Sequence, residues 1–320
     1  MKKNKIKDTG LEVTELSFGT SSLGSMPDTY GYEVPEDRAQ KTLNRFFQGP
    51  VNMLDTSRNY AMGESEKRIG NAIKENGGWP KDFLLSTKLD RNMDTLVLDK
   101  NRARESLEES LKTLNVGSVD ILFLHDPEYA KDLSDITKKD GAMDELFKIK
   151  EEGLAKAVGI AMGKIDIMFP LLKDWDFDVM INHNRFTLLN REANEMYDYA
   201  YSNNIAIFNA APYAGGVLAK GPDNFKKITY QDATEEKLTP AREFEKVCKK
   251  HNVELGAAAL QFSLKDKRIT STICGVTSVE SIEKNLTWAN SKISDKFWNE
   301  ISKLSYSNND PEADRVFTAG

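Results

Sequence analysis

Apolar residues in this chain fall into short blocks of two alternating kinds. One kind is a nearly continuous apolar run bounded by polar or turn residues, as in Val119-Asp120-Ile121-Leu122-Phe123-Leu124-His125. The other spaces its apolar residues three and four apart, as Leu107, Leu111 and Leu114 do within 101–114. The first pattern predicts buried strands of the kind covered on both faces, and the second predicts amphipathic helices. Strands are accordingly expected at 16–20, 51–54, 83–88, 119–125, 156–160, 178–182, 205–209 and 272–274. Helices are expected from Pro35, where Ala39, Leu43, Phe46 and Phe47 share one side, and then at 64–76, 101–114, 144–152, 165–172, 191–202, 240–251, 256–264 and 279–289. Gly77-Gly78 and Gly153 mark two of the helix ends. Ahead of the first strand, residues 5–16 alternate about Thr9-Gly10, which predicts a β-hairpin.

Two segments break the rhythm. Residues 213–237 read as a long loop, with Gly215-Gly216 and Gly221-Pro222 as breakers, and the polar end from Tyr306 reads as an arm over the surface. No linker or shift of composition interrupts the alternation, so residues 1–320 are expected to form one domain. Eight strand–helix units in sequence predict the α/β class and a closed (β/α)8 TIM barrel. The barrel would carry an N-terminal β-hairpin, a long loop after strand seven and extra C-terminal helices. A doubly wound open sheet is the rival, but no Gly-x-Gly-x-x-Gly follows the first strand.

Composition narrows the function without naming it. The 320 residues are 39% hydrophobic and 29% charged, with a formal net charge of −6, which gives no reason to expect a nucleic-acid or membrane partner. The basic start, Met1 to Asp8, is followed by no apolar segment and does not read as a signal peptide. Cys248 and Cys274 lack metal-type spacing and read as reduced structural thiols of a cytoplasmic protein. With three histidines and no His-x-His, a metal-dependent hydrolase built on His125, Asp126 and Glu128 is a remote alternative, and no metal is expected.

In a barrel, chemistry sits at the C-terminal ends of the strands. Those ends deliver Asp55 and, in the following loop, Tyr60; then Lys88; then His125. A phenol titrates near ~10 and is a poor acid at neutral pH. A neighbouring ammonium would lower that value, and a carboxylate would hold the ammonium in place. A histidine at the same mouth can orient a carbonyl oxygen or share the proton. Taken singly, each has a plainer explanation: a strand-end Asp caps turns, a strand-end Lys is solvated, a His is structural, a Tyr packs. Four such groups on three adjacent strand ends make coincidence a poor explanation.

These residues carry a family resemblance. Asp55-Thr56 with Tyr60, Gly63-Glu64-Ser65-Glu66, Ser86-Thr87-Lys88 and Phe123-Leu124-His125 together resemble the aldo-keto reductase family over nearly the whole chain. The resemblance implies that Tyr60 is the general acid/base, that Asp55 and Lys88 tune it, and that His125 orients the substrate oxygen. It also implies NAD or NADP bound without a Rossmann domain, and hydride transfer to or from carbon. Ala211-Pro212-Tyr213-Ala214-Gly215-Gly216-Val217-Leu218 resembles the loop that covers the pyrophosphate. Gly275-Val276-Thr277-Ser278 with Asn285 resembles the segment that holds the final phosphate and adenine, although an N-capped helix with Ser278 as cap explains that segment equally well. The cofactor contacts implied in this way are Gly19, Thr20, Asp55, His183, Ala211, Pro212, Tyr213, Gly216, Leu218, Gly275, Thr277, Ser281, Lys284 and Asn285.

The sequence also departs from the family pattern. Ala161-Met162 stand where many relatives hold the carboxamide with Ser-Asn, His183 stands for a Gln, and Ala210 stands for a stacking Tyr. Gly275 and Ser281 occupy positions that are often basic in NADP-preferring members, which favours NAD or use of both cofactors, with Lys284 close by. His125-Asp126-Pro127-Glu128, residues 182–189 and 209–212, and Leu218-Ala219-Lys220-Gly221-Pro222 resemble the D-threo-aldose 1-dehydrogenase branch. That branch oxidises sugars such as L-fucose at C1 to the lactone. The alternatives are an NADPH-dependent reductase of small aldehydes or ketones and, in another class, a cofactor-binding regulatory subunit of a membrane channel. The expected partner is a small sugar or aldehyde, and the expected state a monomer or weak homo-oligomer.

Overall fold

The computed structural model describes residues 1–313 and 315. Strands β1 (Lys3–Ile6) and β2 (Leu11–Thr14) pair antiparallel as the expected hairpin. Eight parallel strands then close a barrel in which each pairs with the next in chain order and the last returns to the first. They are β3 (Leu16–Gly19), β4 (Met53–Asp55), β5 (Leu84–Leu89), β6 (Val119–His125), β7 (Ala155–Met162), β8 (Val179–His183), β9 (Ala206–Ala210) and β12 (Ile269–Gly275). A small antiparallel pair, β10 (Lys227–Ile228) and β11 (Gln231–Asp232), lies between β9 and β12.

The alternation of side chains along each strand sorts the apolar residues into two cores. Ile121 and Phe123 face inward and meet Met53, Leu84, Ala157, Val179, Ala206 and Phe208 in the barrel interior. Leu122 and Leu124 face outward, and pack with Leu54, Leu85, Val158 and Met180 under the surrounding helices. Ile6, Leu11 and Val13 of the hairpin belong to the interior cluster, so the hairpin closes the N-terminal end of the barrel. Full burial of a Val, Leu, Ile, Phe or Met side chain in this set contributes roughly 1.5–3 kcal/mol. Gly159 is required where it stands. A Cβ there would lie 2.0 Å from the Val179 carbonyl oxygen and 2.9 Å from the Phe123 ring.

Several expected boundaries move, each for a visible reason. The helix expected to start at Pro240 spans Glu235–Lys250, because the Thr234 side chain caps it and accepts from the Lys237 amide. Pro240 is therefore inside that helix rather than at its first turn. The long loop expected at 213–237 contains a short helix, Val217–Lys220, and the β10–β11 pair. A helix at Asp295–Ile301, capped by Ser294, is additional to the expected set. The C-terminal segment is more than a surface arm. Ser307 bridges to Asn190, the Asn190 side chain donates to the Asn309 carbonyl, and Glu312 is buried. The last part of that segment, 314 and 316–320, lies outside the described residues. Among the described residues no helix is long and apolar enough to cross a membrane.

Candidate active site

Strand parity decides which side chains reach the mouth of the barrel. Met53 faces the interior, so Asp55 does too. Leu84 faces in, and therefore so do Ser86, Lys88 and Asp90 along β5 and its extension. Ile121 and Phe123 bring His125 to the same level on β6. Gly19, Ala161, His183, Ala210 and Gly275 occupy the corresponding ends of β3, β7, β8, β9 and β12, and all line one cavity of ≈ 490 Å³. Asp55, Tyr60, Lys88 and His125 line it as well. A cavity of this size suits a small-molecule ligand.

The Lys88 ammonium is almost wholly buried and fully engaged. It donates to Asp55 Oδ1 at 3.0 Å, to Asp55 Oδ2 at 2.9 Å and to the Thr56 carbonyl at 2.5 Å, and Ser86 Oγ donates to Asp55 Oδ1 at 2.9 Å. Nζ also lies 4.7 Å from the centre of the Tyr60 ring. This geometry corrects the expectation that the lysine lowers the phenol's pKa. Its three protons go to Asp55 and Thr56, and its charge is met by the carboxylate. Burial first, and the Asp55 carboxylate second, push the Tyr60 phenol well above its usual value. Tyr60 is therefore protonated at neutral pH.

The turn carrying Tyr60 is tightly built. Asn59 donates its amide to Asp90 Oδ2 at 3.1 Å, and Ala61 and Met62 both adopt left-handed backbone angles, φ 51° and 53°. Non-glycine residues there cost about 1–3 kcal/mol each and persist only when their surroundings fix them. Gly24 is part of that fixing, because a Cβ at this position would lie 2.5 Å from Ala61 Cβ.

Asp90 escaped the sequence reading and has a clear place here. It is fully buried, and its Oδ1 lies 2.5 Å from His125 Nδ1. Ser57 Oγ donates to Oδ2 at 2.6 Å. Burial opposes its charge, but His125, Ser57 and Lys88 together hold Asp90 below the ordinary carboxylate range. Burial likewise opposes charge on His125, and Asp126 and Asp90 outweigh it, so the imidazole is raised above its usual value. The Tyr60 and His125 rings meet edge to face at 5.7 Å. The available signal was Lys88-Leu89-Asp90: two residues beyond an inward lysine is another inward position.

Of the implied cofactor contacts, Thr20, Ala211, Tyr213, Gly216, Thr277, Ser281, Lys284 and Asn285 also line the cavity. Pro212 and Leu218 do not line it, and the Leu218 side chain is packed in a separate buried cluster. Ser278 caps the helix Val279–Asn290 in a capping box with Ser281, whose hydroxyl accepts from the Thr277 and Ser278 amides at 3.0 Å each. Tyr213 donates its hydroxyl to Asn285 Oδ1 at 2.5 Å. The donor set suits a dinucleotide: a capped 12-residue helix start and Lys284 supply positive character at one side, while Ala161, Met162 and Ile181 supply apolar wall at the other. Burial lowers the His183 pKa, so its ring is neutral at pH 7 and able to meet an amide.

The C-terminal segment completes the mouth. Arg185, almost wholly buried, pairs with Glu312 and, at 2.5 Å, with Asp310. Glu312 in turn pairs with Arg315 at 2.7 Å and lies 3.4 Å from His183 Nδ1. Arg315 lines the cavity and lies 5.0 Å from the centre of the Tyr230 ring. None of this segment was among the site residues expected from sequence. Among the described residues no group of three or more His, Cys, Asp or Glu side chains is arranged to hold a metal.

Comparison with known proteins agrees with this layout. The sequence model of the aldo/keto reductase family matches residues 15–305. L-galactose dehydrogenase of Arabidopsis thaliana is 30% identical over 283 residues, covering 87% of this chain and 85% of that protein. D-threo-aldose 1-dehydrogenase of a Pseudomonas species is 27% identical over 322 residues, covering 92% and 94%. The solved structure of an aldo-keto reductase from Bacillus halodurans, in its holo form, superposes with a TM-score of 0.79 at 21% identity, covering 99% of this chain and 100% of that one.

Proposed function

The chain belongs to the aldo/keto reductase family of NAD(P)-dependent oxidoreductases, and from that premise we propose that it oxidises a D-threo aldose, such as L-fucose, at C1 to the lactone. The observation that carries this reading is the convergence of Asp55, Tyr60, Lys88 and His125 from three consecutive strands onto one cavity. The sugar assignment draws on the two sugar dehydrogenases among its relatives.

The nicotinamide, when bound, supplies the acceptor for the C1 hydride. The protein's own groups manage the proton and the oxygen. Tyr60 is the acid/base at the substrate oxygen: it takes the hydroxyl proton during oxidation and returns it to the carbonyl oxygen in the reverse direction. Lys88 and Asp55 fix its surroundings through the buried ion pair, and His125 orients the oxygen. The raised pKa of the phenol keeps it protonated at rest, so oxidation needs a neighbouring acceptor through which its proton can leave. His125, in ring contact with Tyr60, is that neighbour.

Gly19, Thr20, Ala211, Tyr213 and Gly216 would border the dinucleotide, with Gly275, Thr277 and the capped helix start at its phosphates and Asn285 beyond. His183 would meet the carboxamide. NAD is the favoured cofactor, because the Ser281 hydroxyl is engaged in the helix cap and no arginine stands at Gly275 or Ser281. Lys284, 3.8 Å from Glu254, is the cation available to a 2′-phosphate.

Tyr60→Phe tests the assignment. It deletes the proton donor and little packing, so turnover is expected to fall by roughly 10²–10⁴-fold. Cofactor affinity, read by fluorescence titration, is expected to stay within about twofold, well under the ~1.4 kcal/mol of a tenfold change. Undiminished turnover in that variant would end the mechanism.

A further inference from the structure

We propose that Asp90 is a positioning residue that fixes the proton of neutral His125 on Nδ1, leaving Nε2 as the acceptor for the proton released during oxidation. The inference rests on the oxidoreductase reading above and adds to it a residue outside the four groups from which that reading was built.

The geometry of Asp90 is that of an orienting carboxylate. One oxygen lies 2.5 Å from His125 Nδ1, and the other accepts from Ser57 Oγ at 2.6 Å and the Asn59 amide at 3.1 Å. Both donors to Oδ2 come from the turn that carries Tyr60. An ionised carboxylate only accepts, so the hydrogen between Asp90 and His125 belongs to the ring. With Nδ1 protonated, the neutral ring has its lone pair on Nε2, and a second proton can be taken only there. This is the arrangement by which a buried carboxylate selects a tautomer and supports the imidazolium that follows.

The charged groups facing the ring come from each adjoining element. Asp90 and Lys88 approach from β5 and its extension, and Asp126 approaches from the end of β6 with Oδ2 3.7 Å from Nε2. Tyr60 faces it from the turn after β4. The two carboxylates outweigh both burial and Lys88, so the imidazolium is supported.

Opposite pH dependences follow for the two directions. Oxidation of a hydroxyl needs neutral His125, so kcat/KM rises with pH through the His125 midpoint. Reduction of a carbonyl is served by the imidazolium, whose Nε2–H can donate, so kcat/KM falls through the same midpoint.

The test uses 15N-histidine-labelled protein, in which the three histidines give a small set of ring signals and His125 is assigned by its loss in His125→Gln. Above its midpoint, wild-type His125 is expected to show Nδ1 protonated and Nε2 bare. In Asp90→Asn, which can keep the acceptor but loses the charge, the midpoint is expected to fall by about one unit or more. The limbs of both kcat/KM profiles are expected to move with it. A proton on Nε2 in the neutral wild-type ring, or an unmoved midpoint in Asp90→Asn, would overturn the proposal. If Asp90→Asn does not fold, Ser57→Ala removes one donor from Asp90 and is expected to raise the midpoint, and an unchanged midpoint there would overturn it equally. The NMR readout needs no substrate, so failure of the sugar reading would leave turnover absent while the tautomer result stood.

Discussion

Removing either member of the Lys88–Asp55 pair should cost far more than removing both. The two side chains are 2% and 6% exposed, and Lys88 makes its remaining hydrogen bond to the Thr56 carbonyl. Breaking a buried pair typically costs about 3–5 kcal/mol, because the survivor is left charged and desolvated. Lys88→Met should sit at the upper end, since Asp55 would then keep only the Ser86 hydroxyl as a side-chain donor. Asp55→Asn should sit at the lower end, because the amide oxygen can still accept from Lys88. At roughly 2 °C per kcal/mol for a chain of this size, the single variants should lose about 6–10 °C in Tm. The double variant Asp55→Asn/Lys88→Met leaves no buried charge, with the introduced amide still beside the Ser86 hydroxyl, and should recover most of that loss. Thermal and urea melts of the four proteins give the cycle. Single-variant losses that add to the double within ~0.5 kcal/mol would refute the reasoning, since independent sites add in that way. The double variant should nevertheless have no turnover, which separates the pair's part in chemistry from its part in stability.

Glu66 is fully buried, accepts from Thr87 Oγ1 at 2.5 Å, and is pushed by burial from 4.5 to about 7. A raised carboxyl favours the folded state while protonated, so the wild type should lose stability relative to Glu66→Gln as pH rises from 4.5 to about 7, by up to about 3 kcal/mol. Melts at several pH values check this, and a pH-independent difference would contradict it. Glu312 shows the opposite sign: burial raises its pKa, but His183, Arg185 and Arg315 together hold it below its ordinary value. Its contribution is present above the ordinary value of 4.5 and disappears as pH falls through the lower folded value. Glu312→Gln should therefore lose about 3 kcal/mol at neutral pH, with Asp310 still on Arg185, and should lack that acid limb. Proteolysis confined to the segment after Ser307 should accelerate in that variant, and unchanged cleavage would show that the Glu312 carboxylate does not hold the segment.

Most of the barrel, and the convergence of Asp55, Tyr60, Lys88 and His125 on its cavity, were legible because two periodicities carry them. Period two along β4, β5 and β6 sets Asp55, Lys88 and His125 facing inward, and helical spacing separates those strands at the right intervals. The same parity extends to Asp90, two residues beyond Lys88, but the strand expected at 83–88 stops short of it. The C-terminal segment was illegible for a different reason. Its polar residues look solvated, and their partners, among them the buried Arg185 some 125 positions away in sequence from Asp310, are tertiary. Thr234 as a helix cap was overlooked because Pro240 is the stronger local signal for a helix start. Tyr60 was located correctly while its proton affinity was not, since burial and the engagement of Lys88 by Asp55 are tertiary facts.

The most direct measurement of the central claim is the absorbance change at the reduced-nicotinamide band with L-fucose and related D-threo sugars, run in parallel with NAD and NADP. Rapid reduction of NAD by those sugars is predicted, with the lactone as product and slower reaction with NADP. No reduction of either cofactor by any sugar, together with NADPH oxidation by a simple aldehyde, would contradict it and reassign the same site to carbonyl reduction.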